Sequence, residues 1–129
     1  MAEKDVIRTD RAPGPFQGAP YNQAIRVGDL VFVAGQLGIS LDTGELAGPS
    51  IQEQTEQIMK NLGAILDAAG SGLDKLVKTT VFLLDLGDFA GMNEVYARHA
   101  GDHPPARSTI GISALPSGAL VEIEAVAHV

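Results

Sequence analysis

Apolar residues recur at two different periods along this chain, and the change of period separates helices from strands. Ile51, Thr55, Ile58, Leu62, Ile65 and Ala69 return every three or four positions, the stripe of a helix that buries one face. Ser50 precedes that stripe and Glu53 follows three positions later, the spacing of a capping box. Gly70 then supplies a left-handed C-terminal cap. A second helix is predicted after Asp88, its N-cap, with Phe89, Met92, Tyr96 and His99 on one face. Gly101 and Pro104 stop it.

The remaining apolar runs read as strands. Val6–Arg8 is a short first strand, and Ala12–Pro20, rich in Pro and Gly, is a loop. Ala24–Val27 and Leu30–Ala34 form a hairpin that turns at Gly28-Asp29. Gly35–Pro49 is a long irregular connection. Val77–Leu84, Ala106–Ile112 and Leu120–Val129 complete the set. The order is β-β-β-α-β-α-β-β, an α+β fold with a mixed sheet and both helices on one face. No repeat or linker divides the chain, so residues 1–129 are read as one domain.

The pattern also predicts an assembly. Leu30, Val31, Phe32 and Val33 are apolar at consecutive positions, so both sides of that strand require burial. Two helices on one face cannot supply it, and another subunit must. In the last strand, Val121, Ile123, Ala125 and Ala127 share the helix side, while Glu122, Glu124, Val126 and His128 share the other.

Composition narrows the function classes. The net charge is -7, the nine Lys and Arg are scattered, and aromatics make up 5% with no Trp. A nucleic-acid partner is disfavoured, because phosphate tracks need clustered cations and single strands need stacking rings. No cysteine is present, so disulfides, thiolate nucleophiles and cysteine metal sites are excluded. No apolar run approaches the ~20 residues of a membrane span, and MAEKDVIRTD has no apolar signal core. The expectation is a cytoplasmic protein without a membrane partner.

Four side chains stand out as candidate chemistry. Arg107 follows Pro104-Pro105, and its guanidinium fork matches a carboxylate with two parallel hydrogen bonds. On spacing alone, a surface or interface arginine paired to a local acid such as Asp102 is the favoured reading. Glu122 interrupts an apolar alternation and is either a reactive carboxylate or a solvated one. Tyr21 offers a hydroxyl to a ligand or packs its ring. Asn93 offers an amide to a ligand or to solvent. His99 and His103 have a helical metal spacing, but Gly101 and Pro104 interrupt the helix and no third ligand is evident. Neither a GxSxG elbow nor a phosphate-binding glycine loop occurs.

APYNQAIRVGDLVFVAGQLG, TGEL, VKTTVFLLDLGDFAGMNEVY, PPARSTIGI and VEIEAVA occur in that order. Together they resemble the RidA (YjgF, reactive-intermediate deaminase) family over about Pro20 to Ala127. The resemblance implies a chorismate-mutase-like fold assembled as a homotrimer, with sites in clefts between subunits. It implies hydrolysis of 2-imino acids and their enamines to 2-keto acids and ammonia, without a cofactor or metal. In that pattern Arg107 holds the substrate carboxylate and Glu122 orients water. Tyr21 and Asn93 complete the site, Gly35 contributes backbone, and Thr109 offers a carbonyl to the imine nitrogen.

Ala19, Ala34 and Thr109 stand where the family often has Gly, Ser and Cys. The family also contains proteins described as ribonucleases, translation inhibitors and chaperones, and fold alone does not choose among them. A module that binds small carboxylates without turnover would use the same arginine.

Overall fold

Pairing of six strands into one sheet decides which side chains face the helices and which do not. The structure, a computed structural model, describes residues 3–129. Its elements are β1 (Lys4–Ile7), β2 (Ala24–Val27), β3 (Leu30–Leu37), α1 (Ile51–Ala68), β4 (Leu76–Leu83), α2 (Phe89–Ala100), β5 (Ala106–Gly111) and β6 (Val121–His128), the predicted order. The spatial order is β1-β2-β3-β6-β4-β5. Only β4 and β5 run parallel, joined through α2; the other neighbours are antiparallel.

Helix α1 forms where the stripe predicts. Ser50 Oγ accepts from the Glu53 N–H at 3.1 Å and donates to the Glu53 carboxylate at 2.8 Å, so the reciprocal arm closes on the hydroxyl. Gly70 (φ 82) ends it in a Schellman motif, with Ser71 N–H on Leu66 O and Gly70 N–H on Asp67 O. Ile58, Leu62 and Ile65 are fully buried against Val31, Val33 and the inward residues of β6. Each such side chain contributes about 1.5–3 kcal/mol of apolar burial. Thr79, paired across the sheet with Ala125, bonds Tyr96 of α2, which places both helices on one face.

The buried amides of α1 tie down the loops around the open side. Gln54 donates to Gly48 O at 3.0 Å and accepts from Leu120 N–H at 2.8 Å. Asn61 donates to Ile39 O at 3.0 Å. Gly38, just past β3, passes so close that a Cβ there would lie 2.6 Å from Gln54 O, so the chain touches α1 backbone to backbone.

Several boundaries differ from the sequence expectation. β1 is Lys4–Ile7 rather than Val6–Arg8, because its partner β2 begins at Ala24 and pairs only back to Ile7. β3 continues past Ala34 to Leu37: Gly35 sits in a bulge and does not end the strand. β4 starts one residue early, while β5 and β6 are shorter than predicted. Asp88 does not cap α2. It has φ -83 and ψ 2, inside a turn continuous with the helix, whereas Asp85 is extended and accepts from Gly87 N–H at 2.8 Å. Phe89 is 45% exposed and lies off the buried stripe, which is Met92, Val95, Tyr96 and Ala100.

On the open face, register aligns Val6, Ile25, Phe32 and Val126 across four strands. Val31 and Val33 are buried under α1, while Leu30 and Phe32 remain 42% and 46% exposed. Among the described residues, no helix is long and apolar enough to cross a membrane.

Candidate functional site

The bulge in β3 builds the centre of a cleft. Val33 pairs with Ala125 and Gln36 with Ile123, so Ala34 and Gly35 together oppose Glu124. The neighbouring strand then lays Glu122 against Gly35. A Cβ at position 35 would stand 2.9 Å from the Glu122 carboxyl carbon and 3.0 Å from Oε1. Glycine is therefore needed here for close approach, not for an unusual backbone angle. Glu122 is half-buried, and no cation lies within ion-pair distance of it among the described residues. Burial, and secondarily the charge of Glu124, raise its carboxyl pKa above the ordinary range.

Two turns form the rim of this cleft, whose volume is about 1080 Å³. In each, consecutive residues adopt positive φ and the flanking carbonyl accepts from the third residue on. These are type I′ turns at Gln17-Gly18 (φ 53 and 67) and Ser117-Gly118 (φ 58 and 70). The non-glycine member of each costs on the order of 1 kcal/mol. Tyr21 is 41% exposed at the same rim. Its hydroxyl oxygen accepts from the Phe16 N–H, which leaves its own proton free to donate to a ligand.

Gln23 holds the rim from behind. It is 4% exposed, accepts from Thr9 N–H at 2.8 Å and donates to the carbonyls of Thr9, Ala12 and Pro13. The sequence reading passed over it; a glutamine entering an apolar strand beside a Pro-rich loop was the available signal. The two rim turns were also legible as Pro15-Phe16-Gln17-Gly18-Ala19 and Pro116-Ser117-Gly118-Ala119, two Pro-led turns closing on Gly-Ala.

Arg107 lies elsewhere. In the parallel pair, Arg107 is level with Thr79 and Thr109 with Val81, both on the helix side. Glu122 is level with Phe82 and Ile110, on the open side. A single chain thus places the arginine and the glutamate on opposite faces of its sheet. The Arg107 guanidinium carbon stands 4.9 Å from the Tyr96 ring centroid and 5.5 Å from that of Phe89. Asn93 is on the helix turn between those two rings, half-buried. The alternative partner Asp102 forms no ion pair with Arg107, which has no carboxylate partner among the described residues. β5 is an edge strand, so Thr109 belongs to a row with unpaired backbone groups.

The six residues expected from sequence therefore fall into two separate groups. Tyr21, Gly35 and Glu122 line the cleft. Arg107, Asn93 and Thr109 gather where β5 meets α2. Of the two histidines considered as ligands, His99 bonds Glu56 of α1 at 2.9 Å.

Comparison with known proteins adds independent findings. The family description "Endoribonuclease L-PSP" matches residues 11–129. A RutC family protein of Pyrococcus abyssi is 49% identical over 125 residues, covering 97% of each chain. The 2-iminobutanoate/2-iminopropanoate deaminase of Homo sapiens is 42% identical over 122 residues, covering 95% of this chain and 88% of its own. The crystal structure of E. coli TdcF with bound serine superposes with a TM-score of 0.90 at 38% identity, covering 97% of this chain and 98% of its own.

Proposed function

Because the chain belongs to the RidA/YjgF family, whose family description is endoribonuclease L-PSP, we propose that it is a hydrolytic deaminase of 2-imino acids. Its substrates are of the 2-iminobutyrate and 2-aminoacrylate type, and its products are 2-keto acids and ammonia. The carrying observation is the pair of complementary half-sites: an unneutralised carboxylate in a cleft, and an arginine without a counter-ion on the opposite face. A second copy of the chain that sets its β5–α2 edge against the cleft joins them. The same contact covers the exposed Leu30 and Phe32. A closed ring of three such contacts, the homotrimer, leaves no sticky face.

In the joined site Arg107 clamps the substrate carboxylate through two parallel hydrogen bonds. The Thr109 carbonyl accepts from the protonated imine nitrogen and keeps the carbon electrophilic. Asn93 and the Gly35 backbone bound the pocket. Water held by Glu122 and the Tyr21 hydroxyl attacks the imine carbon, and its proton passes to the Glu122 carboxylate. The C–O bond forms as the C=N pair moves to nitrogen. Glu122 then returns the proton to that nitrogen, ammonia leaves, and the remaining hydroxyl gives its proton to the Glu122 carboxylate as it closes to the ketone. A raised pKa suits this role, since it makes the carboxylate a stronger base near neutral pH. No step requires a metal or cofactor.

The test is direct. An amino-acid oxidase or dehydratase generates the imine in chelator-containing buffer, and its decay is followed with and without the protein. Accelerated release of keto acid and ammonia is expected. Unchanged decay across several imino acids overturns the enzyme reading and favours a carboxylate-binding module, to which the serine-bound TdcF lends support. A ribonuclease role is the poorer fit, because a cleft centred on Glu122 in a chain of net charge -7 repels a phosphodiester.

A further inference from the structure

We infer that Tyr96, anchored by Thr79, is a positioning residue that holds the Arg107 guanidinium flat for carboxylate capture. The inference rests on the deaminase reading only in giving Arg107 a carboxylate to bind. Its grounds are geometric. Thr79 and Tyr96 are 0% and 5% exposed, and their hydroxyls meet at 2.6 Å. A buried hydroxyl pair costs desolvation and is matched no better than an apolar pair would be, so packing alone does not call for it. What the pair does is fix the ring. Tyr96 comes from α2 and Thr79 from β4, so the bond pins a helix side chain to the strand beside Arg107.

The ring then serves as a platform. The guanidinium carbon lies 4.9 Å from its centroid, within the range of a cation–π contact. Phe89, two turns earlier on α2 and 45% exposed, has its ring centroid 5.5 Å from the same guanidinium carbon. Arginine is held here by ring faces and by no carboxylate among the described residues. That distinction matters chemically. A carboxylate partner would occupy the fork and compete with substrate, whereas ring faces orient the plane and leave its N–H groups on the edge free. Burial raises the Tyr96 pKa, so the phenol stays neutral and does not become a competing anion.

The test is a double-mutant cycle read in 2-oxobutyrate affinity by calorimetry and in KM and kcat for 2-iminobutyrate. Tyr96→Leu should weaken affinity and raise KM by about 5- to 30-fold, the range for a partly desolvated cation–π contact, with kcat changed less than about threefold. Tyr96→Phe keeps the ring but loses the Thr79 anchor, and should recover only part of the loss. In an Arg107→Ala background, Tyr96→Leu should cost nothing further, because its effect passes through the arginine. Equal losses in both backgrounds, or unchanged KM in folded Tyr96→Leu, overturn the inference. If Tyr96→Leu does not fold, Phe89→Leu, at a half-exposed position, runs the same cycle, and additive losses there overturn it too. Wild-type protein that binds 2-oxobutyrate but does not turn over imines sinks the deaminase reading and leaves the cycle to decide on Tyr96. Wild-type turnover with an additive cycle sinks the Tyr96 inference alone.

Discussion

Replacing Gly35 by alanine adds one methyl group at the point where strand β3 meets the proposed base. The added Cβ would sit 2.9 Å from the Glu122 carboxyl carbon, 3.0 Å from Oε1 and 3.2 Å from Cγ. Ordinary contact is near 3.5–4.0 Å, so the carboxyl group must move by roughly 0.5–1 Å. It can, because it is the end of a flexible side chain facing a cleft. The stability cost should be about 1 kcal/mol, the low end of the range for overpacking, because the displaced group relaxes. Catalysis is less forgiving, since a displacement of about 1 Å from the reacting geometry costs up to about 10²-fold. Gly35→Ala should therefore fold normally and lose ~10- to 100-fold in kcat for 2-iminobutyrate, with KM little changed. Gly38→Ala is the contrasting control. Its Cβ would meet Gln54 backbone atoms at 2.6 and 2.8 Å, which cannot swing away, so its loss should appear in the melting temperature. Turnover by Gly35→Ala equal to the parent, in a protein of equal melting temperature, would refute the view that this contact sets the position of the Glu122 carboxylate.

Three further outcomes follow from the same geometry. Arg107→Ala should lower kcat/KM by about 30-fold to several thousand-fold, the 2–5 kcal/mol of an orphaned charge partner, and Arg107→Lys should recover little, as steady-state kinetics will show. If the half-sites come from different subunits, inactive Arg107→Ala and Glu122→Gln proteins refolded together should regain activity, because some clefts receive both intact groups; a mixture as inactive as its parts rules out a shared site, and light scattering on each sample gives the assembly mass. Glu122 has a raised native pKa, so the folded state binds its proton more readily than the unfolded chain, and stability falls as pH rises from the unfolded value through the native one. Thermal melts should accordingly find Glu122→Gln more stable than the parent at neutral pH and equal to it below the ordinary carboxylate pKa of about 4.3.

The sequence by itself determined the elements and their order, because helix and strand periodicity is written in near neighbours. The Ile51–Ala69 stripe, the Ser50 and Gly70 caps and the alternation of Val121 to His128 all rest on residues a few positions apart. Where local signals competed, they misled: Asp88 has a capping side chain, but the turn begun at Asp85 takes that role. The family motifs likewise identified the six candidate residues. Only the tertiary structure decided how those residues are distributed. The face of Arg107 relative to Glu122 depends on β5 pairing in parallel with β4, and β4 pairing with β6, contacts between residues far apart in sequence. Because side chains alternate along a strand, each pairing and each one-residue bulge sets the parity of everything beyond it. Gly35, read locally as the end of a strand, proved to be the bulge that lets Glu122 approach. The rings beneath Arg107 come from a helix that the chain enters before it reaches β5, so their contact with the guanidinium exists only once α2 has folded back along the sheet edge.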